Sequence, residues 1–329
     1  MARLQPKSVS KVGSMPKLLH ELPDFKQLIA AVSDKQGIAP TLIEKDYWIM
    51  HCLWGLQAQG YGFELKGGTS LSKGYGVIHR FSEDIDIRIE PPKGSNVKFG
   101  RNHDKPAHVE SRRDYYAQLA ADIRIPGIIS TKRETAFDDE RQLRSAGIRL
   151  QYQSTQPMLE GVKDGVLLEL GFDDTTPNVP LTISSWAWEV ANNSGVKFID
   201  NRAKEVRCYA ATHTFVEKLQ TISTKYRRLS ESNIFPNNFL RHYYDVYCLL
   251  SMETVQAFMR TPTYQERKIQ RFRSGDEIMI ARNPAFVLEK PNERELFAKE
   301  FKKTKALYYQ GQPDFKDILE RIQDSIELM

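Results

Sequence analysis

Apolar and polar positions alternate with two different periods along this chain, and the change of period divides it. Over residues 25–56 the apolar spacing is helical, broken by Gly37-Ile38-Ala39-Pro40, which predicts two helices. Phe63 and Leu65 read as the end of a strand. In Asp84-Ile85-Asp86-Ile87-Arg88-Ile89 the strict alternation predicts another strand with both aspartates on one face. After Pro91-Pro92-Lys93-Gly94-Ser95 a polar stretch covers 96–114, followed by a predicted helix over 115–123. Strands are predicted at 148–152 and 166–170, while 186–190 fits helix and strand equally. From Thr212 onward the signal is almost entirely helical.

These elements predict an α/β (α+β) chain with a domain boundary near Asn201. Residues 1–14, basic and carrying Pro6 and Gly13, read as a flexible arm; 15–200 form a mixed α/β lobe and 201–329 a helical lobe. No internal repeat stands out. The 329 residues are 40% hydrophobic, ordinary for a globular protein with real cores. No run of about 18 apolar residues exists, and the N-terminus lacks the apolar segment of a secretory signal, so a cytoplasmic protein with no membrane association is expected. Cys52, Cys208 and Cys248 are far apart and read as reduced and buried. With seven scattered histidines and no Cys-x-x-Cys or His-x-x-x-His spacing, zinc chemistry finds no support. A net charge of +5 is compatible with nucleic acid without identifying it.

The chemistry concentrates in two neighbouring blocks. Gly67-Gly68-Thr69-Ser70-Leu71-Ser72-Lys73 reads as a phosphate loop: glycines let backbone N–H groups approach an anion, and Thr69 or Ser70 is expected to cap a short helix. It is not a Walker loop, which needs glycine where Ser72 stands. Phe81-Ser82-Glu83-Asp84-Ile85-Asp86-Ile87 follows, and side-by-side Asp84 and Asp86 suit Mg²⁺, which takes one or two carboxylates and leaves its other positions to water and phosphates. Gly67, Gly68, Thr69, Ser70 and Lys73 are the candidate nucleotide ligands. Ser82 shares the aspartates' face and is a further candidate for phosphate contact or for modification.

Together with Thr214-Phe215-Val216-Glu217-Lys218-Leu219 and Arg241-His242-Tyr243-Tyr244-Asp245-Val246-Tyr247, these blocks resemble the AbiEii-type nucleotidyltransferase toxins, relatives of the DNA polymerase β-like nucleotidyltransferases, over roughly residues 44–250. The resemblance implies a polymerase β-like lobe with a mixed sheet followed by a mostly helical C-terminal lobe. It also implies the toxin of a bacterial toxin–antitoxin or phage-defence pair that uses Mg²⁺ and a nucleoside triphosphate; some members transfer nucleotides to tRNA acceptor ends. Glu44-Lys45-Asp46-Tyr47-Trp48 recurs in the family and reads as scaffold, a charged helix start followed by packing aromatics.

Further residues take expected roles on that footing. Lys218 lies at the edge of the helical face Phe215, Leu219, Ile222, Tyr226 and Leu229, and either snorkels into the cleft to meet a triphosphate or is solvated beside Glu217. Asp245 either pairs with Arg241 four residues before it, or holds Lys218, or takes part in proton transfer. Glu169 interrupts an apolar strand and is the candidate third acid and metal ligand; the alternatives are solvent or a pair with Arg149. Basic clusters at Lys132, Arg133, Arg141 and Arg144, at Lys225, Arg227 and Arg228, and at Arg267, Lys268, Arg271 and Arg273, with Tyr226 and Phe272 beside the last two, are candidates for RNA phosphate contact and base stacking. The expectation is a monomeric Mg²⁺-dependent enzyme that transfers nucleotides from an NTP to tRNA or another RNA, with an antitoxin as partner. Two rivals remain: transfer to a protein hydroxyl, its own included, and a nucleotide-binding regulator acting through its antitoxin or DNA.

Overall fold

The computed structural model describes residues 15–100, 102–159 and 162–329, so the basic arm read over residues 1–14 lies outside the described residues. The chain opens with α1 (Phe25–Gln36) and α2 (Pro40–Ala58). Gly37, at φ 68°, ends the first in the left-handed region, and Pro40 starts the second at a position whose N–H needs no partner. β1 (Gly62–Lys66) runs into the short helical turn α3 (Gly67–Thr69), which continues as a π-helical turn, Ser70–Gly74. β2 (Asp84–Glu90), α4 (Pro106–Asp122), β3 (Ile128–Arg133), β4 (Ser145–Tyr152), β5 (Val166–Gly171), β6 (Asn178–Ile183), α5 (Trp186–Asn192) and β7 (Ala203–Tyr209) complete the sheet region. The remainder is helical: α6 (Ala211–Ser232), α7 (Arg241–Leu249), α8 (Glu253–Met259), α9 (Pro262–Arg271), α10 (Pro284–Val287), α11 (Pro291–Lys302) and α12 (Phe315–Ser325).

The seven strands form one mixed sheet in the order β3-β4-β5-β2-β1-β7-β6. β2 lies at its centre, antiparallel to β1 and parallel to β5, with Asp86 opposite both Lys66 and Glu169. Ile85, Ile87, Ile89, Leu168 and Leu170 face the other way into a core shared with α1, α2 and α4. A second core, built on Phe215, Leu219, Tyr243, Phe286 and Phe297, knits the C-terminal helices together. No helix among the described residues is long and apolar enough to cross a membrane.

Several elements differ from the sequence expectation. The helix expected over 115–123 starts at Pro106, because Pro sits well in a first turn and the buried Arg112 anchors that turn by donating to the carbonyls of Gln142, His103 and Lys98. The ambiguous 186–190 is helix, capped by Ser185 Oγ accepting from Trp188 N at 3.0 Å. The sheet continues past Asn201, since β7 pairs with β1 and β6. The three cysteines are free and buried. Late in the chain, residues 307–309 return to the lead-in of β2: Phe81 N donates to Leu307 O at 2.7 Å, Tyr309 N to His79 O at 3.2 Å, and Tyr309 OH to Ile78 O at 3.2 Å.

Candidate active site

Both glycines of the loop are required by crowding. Gly67 has φ 70°, and a Cβ there would fall 2.1 Å from Asp86 Oδ2 and 2.9 Å from its Cγ. A Cβ on Gly68 would fall 2.6 Å from Ser82 Oγ and 3.1 Å from an Arg80 guanidinium nitrogen. Neither Thr69 nor Ser70 caps a helix. The turn starts at Gly67, so Thr69 lies inside it and donates its hydroxyl to the Asp84 carbonyl at 2.6 Å, fastening loop to strand. Ser70 Oγ is buried with no hydrogen-bond partner among the described residues.

Three carboxylates face this loop. Asp84 is 9% exposed, and its Oδ1 is buried without a partner, while Oδ2 lies 3.7 Å from Lys163 Nζ. Burial pushes its carboxyl up; Lys163 opposes the shift and the charge of Asp86 adds to it. Glu169, in register with Asp86, is pushed up to about 8 by burial and by the charges of Asp86 and Asp84. The alternative pair with Arg149 does not form, because Arg149 is taken by Glu134 at 3.2 Å. Among the described residues no three His, Cys, Asp or Glu side chains gather as a ready-made metal cage, so Glu169 does not close one with the two aspartates. An orphaned Asp84 oxygen and a loop cut away to glycine against Asp86 fit a hard divalent cation that completes its shell with water and phosphate oxygens.

Opposite the acids stands a buried ion cluster. Asp245 on α7 is fully buried; Arg80 Nε and Nη2 donate to its two oxygens at 2.7 Å each, and Lys218 Nζ on α6 lies 2.8 Å from Oδ2. Burial by itself would raise this carboxyl, but the charges of Arg80 and Lys218 and their hydrogen bonds overcome it and bring it down to about 2. Of the readings left open for Asp245, the geometry matches the one in which it holds Lys218. No ion pair joins it to Arg241, and Lys218 is 8% exposed rather than solvated beside Glu217, which binds Arg271 at 3.1 Å.

Arg241 therefore faces elsewhere. Its Nε is buried with no partner among the described residues, and the charges acting on it are those of Arg80, Asp245, Asp84 and Asp86. Lys225 stands nearby, lowered to about 8 by burial and by the charges of Arg241, Lys218 and Arg228. Arg80, Arg241 and Lys163 are residues of the candidate site that sequence reasoning did not assign to it; the one available signal was Arg241's place in the same block as Asp245.

Other expected ligands lie elsewhere. Lys73 does not extend toward phosphate: its ammonium pairs with Asp46 Oδ1 at 2.9 Å and lies 4.4 Å above the Trp186 ring. The Glu44-Lys45-Asp46 run is scaffold, though not as a charged helix start, since all three side chains are buried. Glu44 accepts from Thr155 N at 2.9 Å, Lys45 binds Glu83 at 3.3 Å beside Asp84, and Asp46 accepts from Trp186 N at 2.8 Å. Tyr226 and Phe272, candidates for base stacking, pack instead against the helical core.

No curated protein matches the chain. Residues 49–321, most of its length, match the family described as the nucleotidyl transferase AbiEii toxin of type IV toxin–antitoxin systems, and the protein belongs to that family.

Proposed function

We propose that this toxin transfers a nucleotide from a nucleoside triphosphate to an RNA acceptor, the 3′ end of tRNA, blocking aminoacylation and arresting translation, with an antitoxin as its partner and phage defence as its setting. One observation carries the reading: three crowded carboxylates, one with an orphaned oxygen, stand against a glycine loop and within reach of the charge of Arg241, which shares α7 with the Asp245 that holds Lys218. Cations facing acids across a gap suit a polyanion that arrives with its own divalent metal.

Asp84 and Asp86 would hold Mg²⁺, whose chemistry there is to stabilise charge on phosphoryl oxygens. Backbone N–H groups of Gly67 and Gly68, with the hydroxyls of Ser70 and Ser82, bind the phosphates. Lys218, fixed by Asp245, and Arg241 neutralise the pyrophosphate end. The acceptor oxygen bonds to the α-phosphorus in line as the bond to pyrophosphate breaks. Its proton passes to the acidic face, where Glu169 is the carboxylate pushed up to about 8. Incubation with total RNA and each α-labelled NTP tests the reading: label in tRNA supports it, and nuclease-resistant label on polypeptide with none in RNA overturns it.

A further inference from the structure

The buried charges at the start of α2 do more than pack that helix against the sheet, because they grip the segment that joins β4 to β5. Thr41 Oγ1 donates to Pro157 O at 3.0 Å, and Glu44 accepts from Ser154 Oγ at 2.8 Å and from Thr155 N at 2.9 Å. Lys45, 1% exposed, reaches the far end of the same segment: its ammonium donates to the backbone carbonyl of Lys163 and lies 3.3 Å from Glu83 Oε2. Glu83 Oε2 in turn accepts from Lys163 N at 2.9 Å. One buried ion pair thus fixes both backbone polar groups of Lys163. The Lys163 side chain then stands with its ammonium 3.7 Å from Asp84 Oδ2 and 5.0 Å from the centroid of the Phe137 ring. A buried ion pair is a costly way to pack a helix, since an apolar side chain of similar volume fills the space without desolvating a charge.

We propose that Lys45 is a positioning residue for the acid site: through Glu83 and the backbone of Lys163 it sets the Lys163 ammonium against one oxygen of Asp84, and that fixed cation makes the acids select metal bound to nucleotide over metal alone. The inference rests on the metal assignment above. Lys163 covers Oδ2 and leaves Oδ1, the orphaned oxygen, as the open face of the carboxylate. Its charge reaches Glu169 as well, so one ammonium faces two of the three acids. In a partly buried site a positive charge about 4 Å from a metal ligand repels a bare divalent cation strongly. A divalent cation that arrives on a triphosphate brings negative charge with it, and the same ammonium then attracts the complex. Discrimination by a built-in repulsion against the competitor needs that repelling charge to be held in place, which is what the clamp from Lys45 and Glu83 does.

The test uses the full chain without NTP and Mn²⁺ alone as the probe, with free Mn²⁺ read by electron paramagnetic resonance. Lys163→Met should tighten the Mn²⁺ Kd about ten-fold or more, because a unit charge about 4 Å from Asp84 is removed, while Lys163→Arg should stay within about three-fold of wild type. Binding of Mn²⁺ complexed to α,β-methylene NTPs should move the other way, weaker in Lys163→Met by about three-fold or more for the tightest-binding of the four. The double change Lys45→Met with Glu83→Gln keeps the net charge and undoes the clamp. It should tighten the Kd for bare Mn²⁺ about three-fold or more in the wild-type background and less than about two-fold in a Lys163→Met background. Glu83→Ala, which leaves α2 unaltered, gives the same comparison between the two backgrounds should the double change fail to fold by circular dichroism. A Lys163→Met Kd within about two-fold of wild type, in a protein that loses Mn²⁺ binding in Asp84→Asn, would overturn this inference and leave the metal assignment standing. Tightening in Lys163→Met that is the same whether or not the clamp is intact would overturn the positioning role of Lys45. Mn²⁺ binding that survives unchanged in Asp84→Asn would overturn the metal assignment and this inference together.

Discussion

Asp245→Asn tests whether the carboxylate shared by Arg80 and Lys218 positions its neighbours or moves protons. The substitution keeps the shape and removes the charge, leaving Arg80 and Lys218 buried or nearly so without their shared counter-ion. The wild-type carboxyl is drawn from its ordinary 3.8 down to about 2, which corresponds to about 2.5 kcal/mol of folding stability. Because the folded value is the lower one, that stability is present above pH 3.8 and is lost as pH falls through about 2. Stranding two cations costs more than the lost carboxylate alone, about 3–5 kcal/mol. At roughly 2 °C per kcal/mol, the variant should melt at least about 6 °C below wild type. NTP affinity should fall, since Lys218 loses the anchor that aims its ammonium. A carboxylate ionised across the working range cannot act as a general base near neutrality, so the pH–rate profile should keep both limbs while its height falls. A cycle with Lys218→Met should show coupling of about 0.5–3 kcal/mol, the double variant losing less than the two singles together. Melting within about 1 °C of wild type, combined with a lost limb in the pH–rate profile, would refute the positioning argument and make Asp245 a proton carrier.

Asp84→Asn and Asp86→Asn should each abolish transfer and toxicity, at a cost of several kcal/mol in the transition state, while circular dichroism stays that of the wild type; near-normal Mg²⁺-dependent activity in either would remove the metal assignment. Gly67→Ala should lower activity about 100-fold, because the new Cβ collides with Asp86 Oδ2 and a left-handed alanine costs a further ~1–2 kcal/mol; steady-state kinetics and melting read both effects. Glu169→Gln should raise the melting temperature of the metal-free protein at pH 8 and leave it unchanged near pH 4.5. A carboxyl pushed up to about 8 destabilises the fold as pH rises from its ordinary 4.5 toward that value, and the amide mimics its neutral form.

Asp84 and Asp86 were legible because strand alternation writes a face directly into the sequence, and Glu169 because one acid interrupts an apolar strand. Lys218 and Asp245 were visible only through the family blocks, since a helix period says which face is buried and not what a buried lysine touches. Arg80 was invisible: its partner Asp245 lies 165 positions away, and a pair that closes between the lead-in to β2 and α7 leaves no periodic trace. Lys73 misled because it follows the glycine loop where a phosphate-binding lysine would be sought, while its true partner, Asp46, sits in a run of charges that looks solvated. The first turns of α4 were hidden by their polar surroundings, although Pro106 was a start signal in plain view. β7 escaped because Glu205, at φ 51°, interrupts the alternation of that strand.

The return of residues 307–309 to the lead-in of β2 bears on how such a chain is made. His79 and Phe81, just upstream of the strand that carries Asp84 and Asp86, bond to backbone that is synthesised more than 200 positions later, the contact from Tyr309 to Ile78 spanning 231. Until that late segment emerges, the approach to Asp84 has no clasp, and before Asp245 emerges Arg80 has no counter-ion. On the proposed function, a growing chain should therefore lack an ordered site for most of its synthesis, as should fragments left by a broken message or a stalled ribosome. The cell that makes this toxin should then meet its activity only in molecules that carry both late contacts.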